Sequence, residues 1–222
     1  MGHSIQAVWR EPSEEPEMTA HVVTDQATLQ ALYGEPGLTS LAKVVDHIHP
    51  HYARMIEAAP FAVLATVGPH GLDTSPRGDA AGFVAIENDR TLLLPDRRGN
   101  NRIDTLRNIV ADPRIALLFL IPGVGETLRV NGTAMVSVDP ALLARFAVDG
   151  KSPRSVLIIT VQSVFFQCSR AVIRGGLWDP ARQIERAALP STGTILGDLS
   201  RGEVDGRAYD RDLPGRVAAT LY

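Results

Sequence analysis

Apolar and polar residues change their period at Pro60, and the change divides the chain into a helical beginning and a strand-rich middle. Before it, residues 25–33 and 38–57 repeat apolar positions at helical spacing, interrupted by Gly34-Glu35-Pro36-Gly37 and by Pro50. After it, seven short runs of β-branched and aliphatic residues predict strands: 61–67, 72–75, 82–86, 91–94, 115–121, 128–138 and 156–166. Gly68-Pro69-His70-Gly71 and Asn88-Asp89 have the composition of hairpin connections. Two helices interrupt the strands. In one, Ile103, Leu106, Ile109 and Val110 recur until Asp112-Pro113; the other, 139–147, opens on a capping Asp followed by Pro. Beyond Trp178, prolines and glycines punctuate a segment with few apolar runs, which predicts irregular chain.

Six or more strands with sparse helices imply a closed or half-closed β-barrel. At 222 residues and 45% hydrophobic content the chain can bury one substantial core. The expected organisation is a loose leader over 1–24, a helical segment over 25–59, a barrel over 60–178 and an extension over 179–222 that packs on the barrel or on a partner subunit. A net charge of -3 argues against nucleic acid as the main partner. No apolar run reaches the ~18 residues of a membrane span, and the one cysteine, Cys168, excludes an internal disulfide. The opening MGHSIQAVWREPSEEPEM carries acidic and proline residues where a signal peptide needs a continuous apolar run. A cytoplasmic location is the expectation.

Candidate chemistry concentrates where a turn rich in arginine meets a helix start. Pro95, Gly99 and Asn100-Asn101 mark the turn, and Arg97, Arg98 and Arg102 surround it. Guanidinium groups beside the positive end of a helix dipole suit an anion, above all a phosphate. The plainer reading pairs these arginines with carboxylates such as Asp96 or Asp104. Of 22 basic residues only Lys43 and Lys151 are lysines, so an anion site here depends on arginine's planar fork. His47, His49 and His51 suggest a metal, but Pro50 breaks their spacing and no cysteine joins them, so none is expected. Cys168, next to a strand, reads as a small buried hydrophobe. Ser75 and Asp79 lack the sequence context of a hydrolase.

Several motifs together, namely the segment DTSPRGDAAGF at 73–83, the turn PDRRGNNR and the later LRVNG, resemble the pyridoxamine 5'-phosphate oxidase-like proteins, which are FMN-binding split β-barrels. A bacterial subgroup called pyridoxamine 5'-phosphate oxidase-related is similar in SPRGD, GNNR, FLIPG with ETLRVNG, and a late run from Phe166 through Cys168 and Arg174 to Trp178. The resemblance implies a mainly β fold with peripheral helices: a six-stranded split barrel that forms a homodimer with FMN between subunits. It places Arg77, and Asn100 with Arg102 in the turn that also holds Asn101, on the flavin phosphate. It makes Arg129, Gln167, Ser169, Arg174 and Trp178 candidates for contacts to the flavin ring or the partner subunit.

Two departures shape the expected function. Nothing after Trp178 reproduces the arginine- and histidine-containing motif with which the vitamin-forming oxidases hold their substrate phosphate, and Gln167 stands where the subgroup has His. The resemblance therefore implies an FMN-dependent oxidoreductase acting on another small molecule. FMN storage or redox sensing without turnover is the alternative, and haem on the same barrel, which needs an axial histidine, is a third.

Overall fold

A computed structural model describes residues 21–69 and 71–222, so most of the expected leader, and His70 in the first hairpin connection, lie outside the described residues. The chain divides into two compact units at Leu41/Ala42. In the first, Asp25 caps helix α1 (Gln26–Tyr33) by accepting the Thr28 N–H at 2.8 Å. Gly34, at φ +69°, ends it. A short helix α2 (Leu38–Ala42) follows.

The second unit is built on one antiparallel sheet of seven strands: β1 (Phe61–Gly68), β2 (Gly71–Gly78), β3 (Ala85–Asn88), β4 (Thr91–Asp96), β5 (Arg114–Leu120), β6 (Thr127–Ser137) and β7 (Ser155–Gln167). Their order is β2-β1-β5-β6-β7-β4-β3, which corrects the expected six strands to seven. β3 is the additional short edge strand, paired to β4 through the Asn88-Asp89 connection. The remaining helices are α3 (Pro50–Ala58), α4 (Asp104–Ala111), α5 (Pro140–Arg145), α6 (Arg170–Gly175), α7 (Thr192–Leu199) and α8 (Gly206–Thr220).

Strand alternation explains the core. Ala62, Leu64 and Thr66 on β1, Ile115, Leu117 and Phe119 on β5, and Leu128, Val130 and Ala134 on β6 point inward, while their neighbours are more exposed. Residues 92–95 of β4 are buried in succession, as in a strand covered on both faces. Where β6 and β7 shift register at Asn131/Gly132, a side chain at Gly132 would collide with the Thr160 carbonyl oxygen. Only glycine lets the two backbones approach there.

The sheet curls on itself. In a flat sheet β2 and β4, five places apart, would be separated by about 24 Å at the usual ~4.8 Å spacing. Instead Arg77 on β2 donates to Asp96 on β4 at 2.8 Å, and Asp79, just beyond β2, receives Arg97 Nε at 2.7 Å. Leu64 of β1 and Leu92 of β4 accordingly share one hydrophobic core.

Two expectations are corrected at the C-terminal side. The segment 179–222 is not irregular: it carries two 3-10 turns and the helices α7 and α8. Gly193 and Gly206 let α7 and α8 approach so closely that a Cβ on either would strike the other's backbone. Asp210 of α8 accepts the Gly193 N–H at 2.7 Å and the Ser191 hydroxyl, closing the start of α7. The glycines serve here as contacts, not breaks. Cys168, expected to be buried, is exposed, because β7 ends at Gln167 and the chain turns outward into α6.

Candidate functional site

Between the curled ends of the sheet lies a cleft of about 650 Å³. β2 contributes Asp73, Ser75 and Arg77, which alternate onto one face; the end of β4 and the following turn contribute Asp96 to Arg102; α4 contributes Asp104, Thr105 and Leu106; and Arg154 with Ser155 close the far side. Arg77, Asn100, Asn101 and Arg102, separated by up to 25 positions in the chain, thus line one cleft.

The turn is held by its own side chains. Asn100 Oδ1 accepts the Arg102 N–H at 3.0 Å, and Asn101, at φ +61°, accepts a hydrogen bond from Arg154 Nη1 at 3.0 Å. A left-handed φ is better tolerated by Asn than by most side chains, which accounts for the residue type here. The helix α4 that follows begins at Ile103 without a side-chain cap. Its first-turn residues form part of the cleft wall, so its N-terminal N–H groups are available to a ligand.

Electrostatics in the cleft are those of paired charges. Arg102 engages Asp104, as the plainer sequence reading expects, whereas Asp96 is taken by Arg77 from β2 and Asp79 by Arg97. Burial would raise the Asp79 carboxyl. Hydrogen bonds from the Tyr222 hydroxyl (2.7 Å), the Ala80 N–H and Arg97 outweigh it and hold the group below the usual carboxylate range. The same bond raises the Tyr222 hydroxyl. Arg97 is fixed a second time by the Phe146 carbonyl at 2.6 Å.

Two buried polar atoms on the described residues have no protein partner, and both belong to residues of this cleft: Arg77 Nε and Ser155 Oγ. Ser155 is 5% exposed. The other buried hydroxyls are satisfied, Thr66 by Asn108 at 3.1 Å and Thr105 by Asp73 at 3.3 Å. An unpartnered buried donor costs roughly 1–3 kcal/mol unless something binds it.

The other expected contact residues do not line the cleft. Arg129 is exposed on β6 with its guanidinium 4.9 Å from the Phe165 ring centre. Trp178 Nε1 donates to the Val124 carbonyl at 2.7 Å in the connection between β5 and β6. Ser169 packs against Gly125, where a Cβ would come within 2.6 Å of it. Gln167 ends β7 opposite Thr127, and Arg174 is exposed on α6. The three histidines also lie elsewhere: His49 caps α3 through Nδ1, which accepts the His51 N–H at 3.2 Å, and His47 bonds Asp46. Sequence reading missed Asp73, Ser75, Arg154 and Ser155. Their alternation on β2 was the available signal for the first pair; the last two reach the cleft only through the pairing of β4 with β7, where Asp96 stands opposite Ser155.

The match to known proteins agrees with this architecture. Residues 48–168, more than half of the chain, match the family model described as pyridoxamine 5'-phosphate oxidase, and the chain belongs to that family. Its fold is similar to that of HupZ from Group A Streptococcus (21% identity, 55% of this chain and 95% of that one, TM-score 0.47). It is also similar to a putative pyridoxamine 5'-phosphate oxidase from Lactobacillus delbrueckii (18%, 55% and 99%, TM-score 0.42) and to a protein from Mesorhizobium loti described as FAD-binding (15%, 55% and 94%, TM-score 0.39). No curated protein matches the chain.

Proposed function

We propose that this protein is an FMN-binding flavoprotein, a homodimeric oxidoreductase that acts on a small molecule other than pyridoxine phosphate. The observation that carries the reading is the pair of orphaned buried donors, Arg77 Nε and Ser155 Oγ, on residues that line a cleft with an uncapped helix start. That donor set fits a phosphate. Arg77, held by Asp96 through Nη1, keeps the rest of its fork for the anion; Arg102, with its side chain 76% exposed, reaches it by releasing Asp104. Charge-assisted hydrogen bonds of this kind contribute about 1.5–3 kcal/mol each.

Flavin supplies the electron-transfer chemistry when bound, and the chain supplies orientation and a fixed electrostatic setting. In the proposed dimer, Arg129, Gln167, Ser169, Arg174 and Trp178 face the ring held by the partner subunit, which explains why they do not line their own chain's cleft. A cytoplasmic location belongs to the same proposal. No helix among the described residues is long and apolar enough to cross a membrane.

A store or sensor of FMN without turnover is the second reading. It is favoured by the engagement of the cleft carboxylates: Asp73 with Thr105, Asp96 with Arg77 and Asp104 with Arg102. Asp96, in its ion pair with Arg77, is the least available of these as a general base. The test is direct: the purified protein is expected to be yellow, to release FMN on denaturation and to run as a dimer by light scattering. Recovery of FAD alone, or no uptake of added FMN, overturns the cofactor assignment. Sustained NADPH oxidation by the FMN-loaded protein separates enzyme from store. Formation of pyridoxal phosphate at anything near the ~10 per second typical of enzymes would refute the exclusion of pyridoxine phosphate as substrate.

A further inference from the structure

The arginine turn that lines the cleft is held without help from its own backbone. Residues 98–102 make no backbone–backbone hydrogen bond among the described residues, so the shape of the turn depends on side-chain anchors. Asn100 and Asn101 hold its later part, through the Arg102 N–H and Arg154. Arg97 holds its start: Nε donates to Asp79 at 2.7 Å and Nη1 to the Phe146 carbonyl at 2.6 Å, with the side chain 19% exposed.

Asp79 meets Arg97 with one oxygen only. The other, Oδ1, accepts the Tyr222 hydroxyl at 2.7 Å and the Ala80 N–H at 2.8 Å, and the Tyr222 ring centre lies 5.6 Å from the Arg97 guanidinium. A single aromatic side chain thus bonds the carboxylate and stacks near the guanidinium of the same ion pair. Tyr222 follows α8, which packs on α7 at Gly193 and Gly206. Among the described residues, every hydrogen bond between 191–222 and the sheet or its connections involves Tyr222. We propose that Tyr222 is a positioning residue, a latch that ties the C-terminal α7–α8 pair to the arginine turn and keeps the turn in the shape that a ligand meets. With the latch released, Asp79 loses one of the two bonds that orient Oδ1, and the start of the turn keeps the Phe146 carbonyl as its firm anchor. The latch stands on the chain alone; the identity of the ligand as FMN rests on the reading above.

Tyr222→Phe keeps the ring and removes the hydroxyl, so the variant is expected to fold. In NMR of the full chain, the Arg97 Nε–H is expected to exchange with water about tenfold faster in this variant, and the amide order parameters of 98–102 to fall toward ~0.6. Asp79→Asn is the control. In that background Tyr222→Phe is expected to add less than about twofold, because the hydroxyl acts through the carboxylate. FMN is expected to leave Tyr222→Phe about fivefold faster than the native chain. If neither protein binds FMN, the NMR result keeps the latch and removes the flavin reading. An unchanged Arg97 signal in Tyr222→Phe, an effect as large in the Asp79→Asn background, or a change that only Tyr222→Ala produces shows a packing role and overturns the proposal, as does a loosened turn from which FMN leaves no faster.

Discussion

The two groups of residues that the motifs single out are built in opposite ways. Around the cleft, β2 and β4 are joined by crossing ion pairs, Arg77 to Asp96 and Arg97 to Asp79, whose side chains are at most 19% exposed. Around the connection between β5 and β6, the contacts are neutral or loose: an indole N–H on a carbonyl, a glycine against Ser169, an exposed arginine over Phe165. Half-buried charge is costly to keep and is retained where it does something that packing cannot. At the cleft it closes the curled sheet and leaves the buried Arg77 Nε without a protein partner. At the other end Trp178 is bonded within the chain, while Arg129 and Arg174 stand exposed without a carboxylate among their described contacts.

This contrast is easiest to break at Asp79, where a 5%-exposed carboxylate receives Arg97, Tyr222 and the Ala80 N–H. Asp79→Ala leaves Arg97 buried without its counter-charge and is expected to cost about 3 kcal/mol of stability in urea unfolding. A loss under about 1 kcal/mol would show that the crossing pairs do not close the sheet.

Next in size is Arg77→Gln, expected to weaken FMN by about 2 kcal/mol, roughly thirtyfold, while leaving riboflavin affinity nearly unchanged. Titration of both flavins reads the phosphate contribution alone. Equal loss for the two ligands would move Arg77 off the phosphate. Trp178→Phe is expected to behave the other way, reducing FMN and riboflavin affinity by the same factor and lowering stability by about 1 kcal/mol for the lost hydrogen bond. An FMN-selective effect there would erase the distinction between the two regions.

Arg102→Ala is expected to cost FMN about 1 kcal/mol, discounted for its exposure, and to exceed the effect of Arg98→Ala. The reverse order would assign the flavin phosphate to the Arg98 side of the turn. The smallest effect is on acid stability. Hydrogen bonds from Arg90 and His47 bring Asp46 down to about 2, those from Arg114 do the same for Asp112, and Asp79 is also lowered. Groups depressed on folding stabilise fully above the unfolded value near ~4 and lose that contribution as pH falls through their folded values. Stability is therefore expected to decline between about pH 4 and pH 2, and less steeply in Asp79→Asn.

Motif and periodicity reach different distances into such a molecule. The β1 to β7 segments were legible because runs of β-branched and aliphatic residues are bounded by turn residues, and Arg77 and Arg102 because SPRGD and GNNR are contiguous patterns. The C-terminal helices were not. Gly193, Gly206 and Pro214 read as breakers, yet two of them are contact points between helices and the third lies inside α8. Their meaning depends on what lies opposite, and a linear pattern carries no information about that. Cys168 failed for the same reason, since its exposure is decided by where β7 stops.

By itself, then, the sequence determined the strand-forming segments, the arginine turn with its helix start, and the family to which the chain belongs, because each depends on residues within a few positions of one another. Only the tertiary structure decided that Arg77 pairs with Asp96 and not with Asp79, that Ser155 joins Arg77 in the cleft with an unpartnered hydroxyl, and that Lys151 and Arg154 stand beside Arg98. Those partnerships are set by the curl of the sheet and the register of β4 against β7. Both emerge from packing a common core across long sequence separations, where local spacing exerts no constraint.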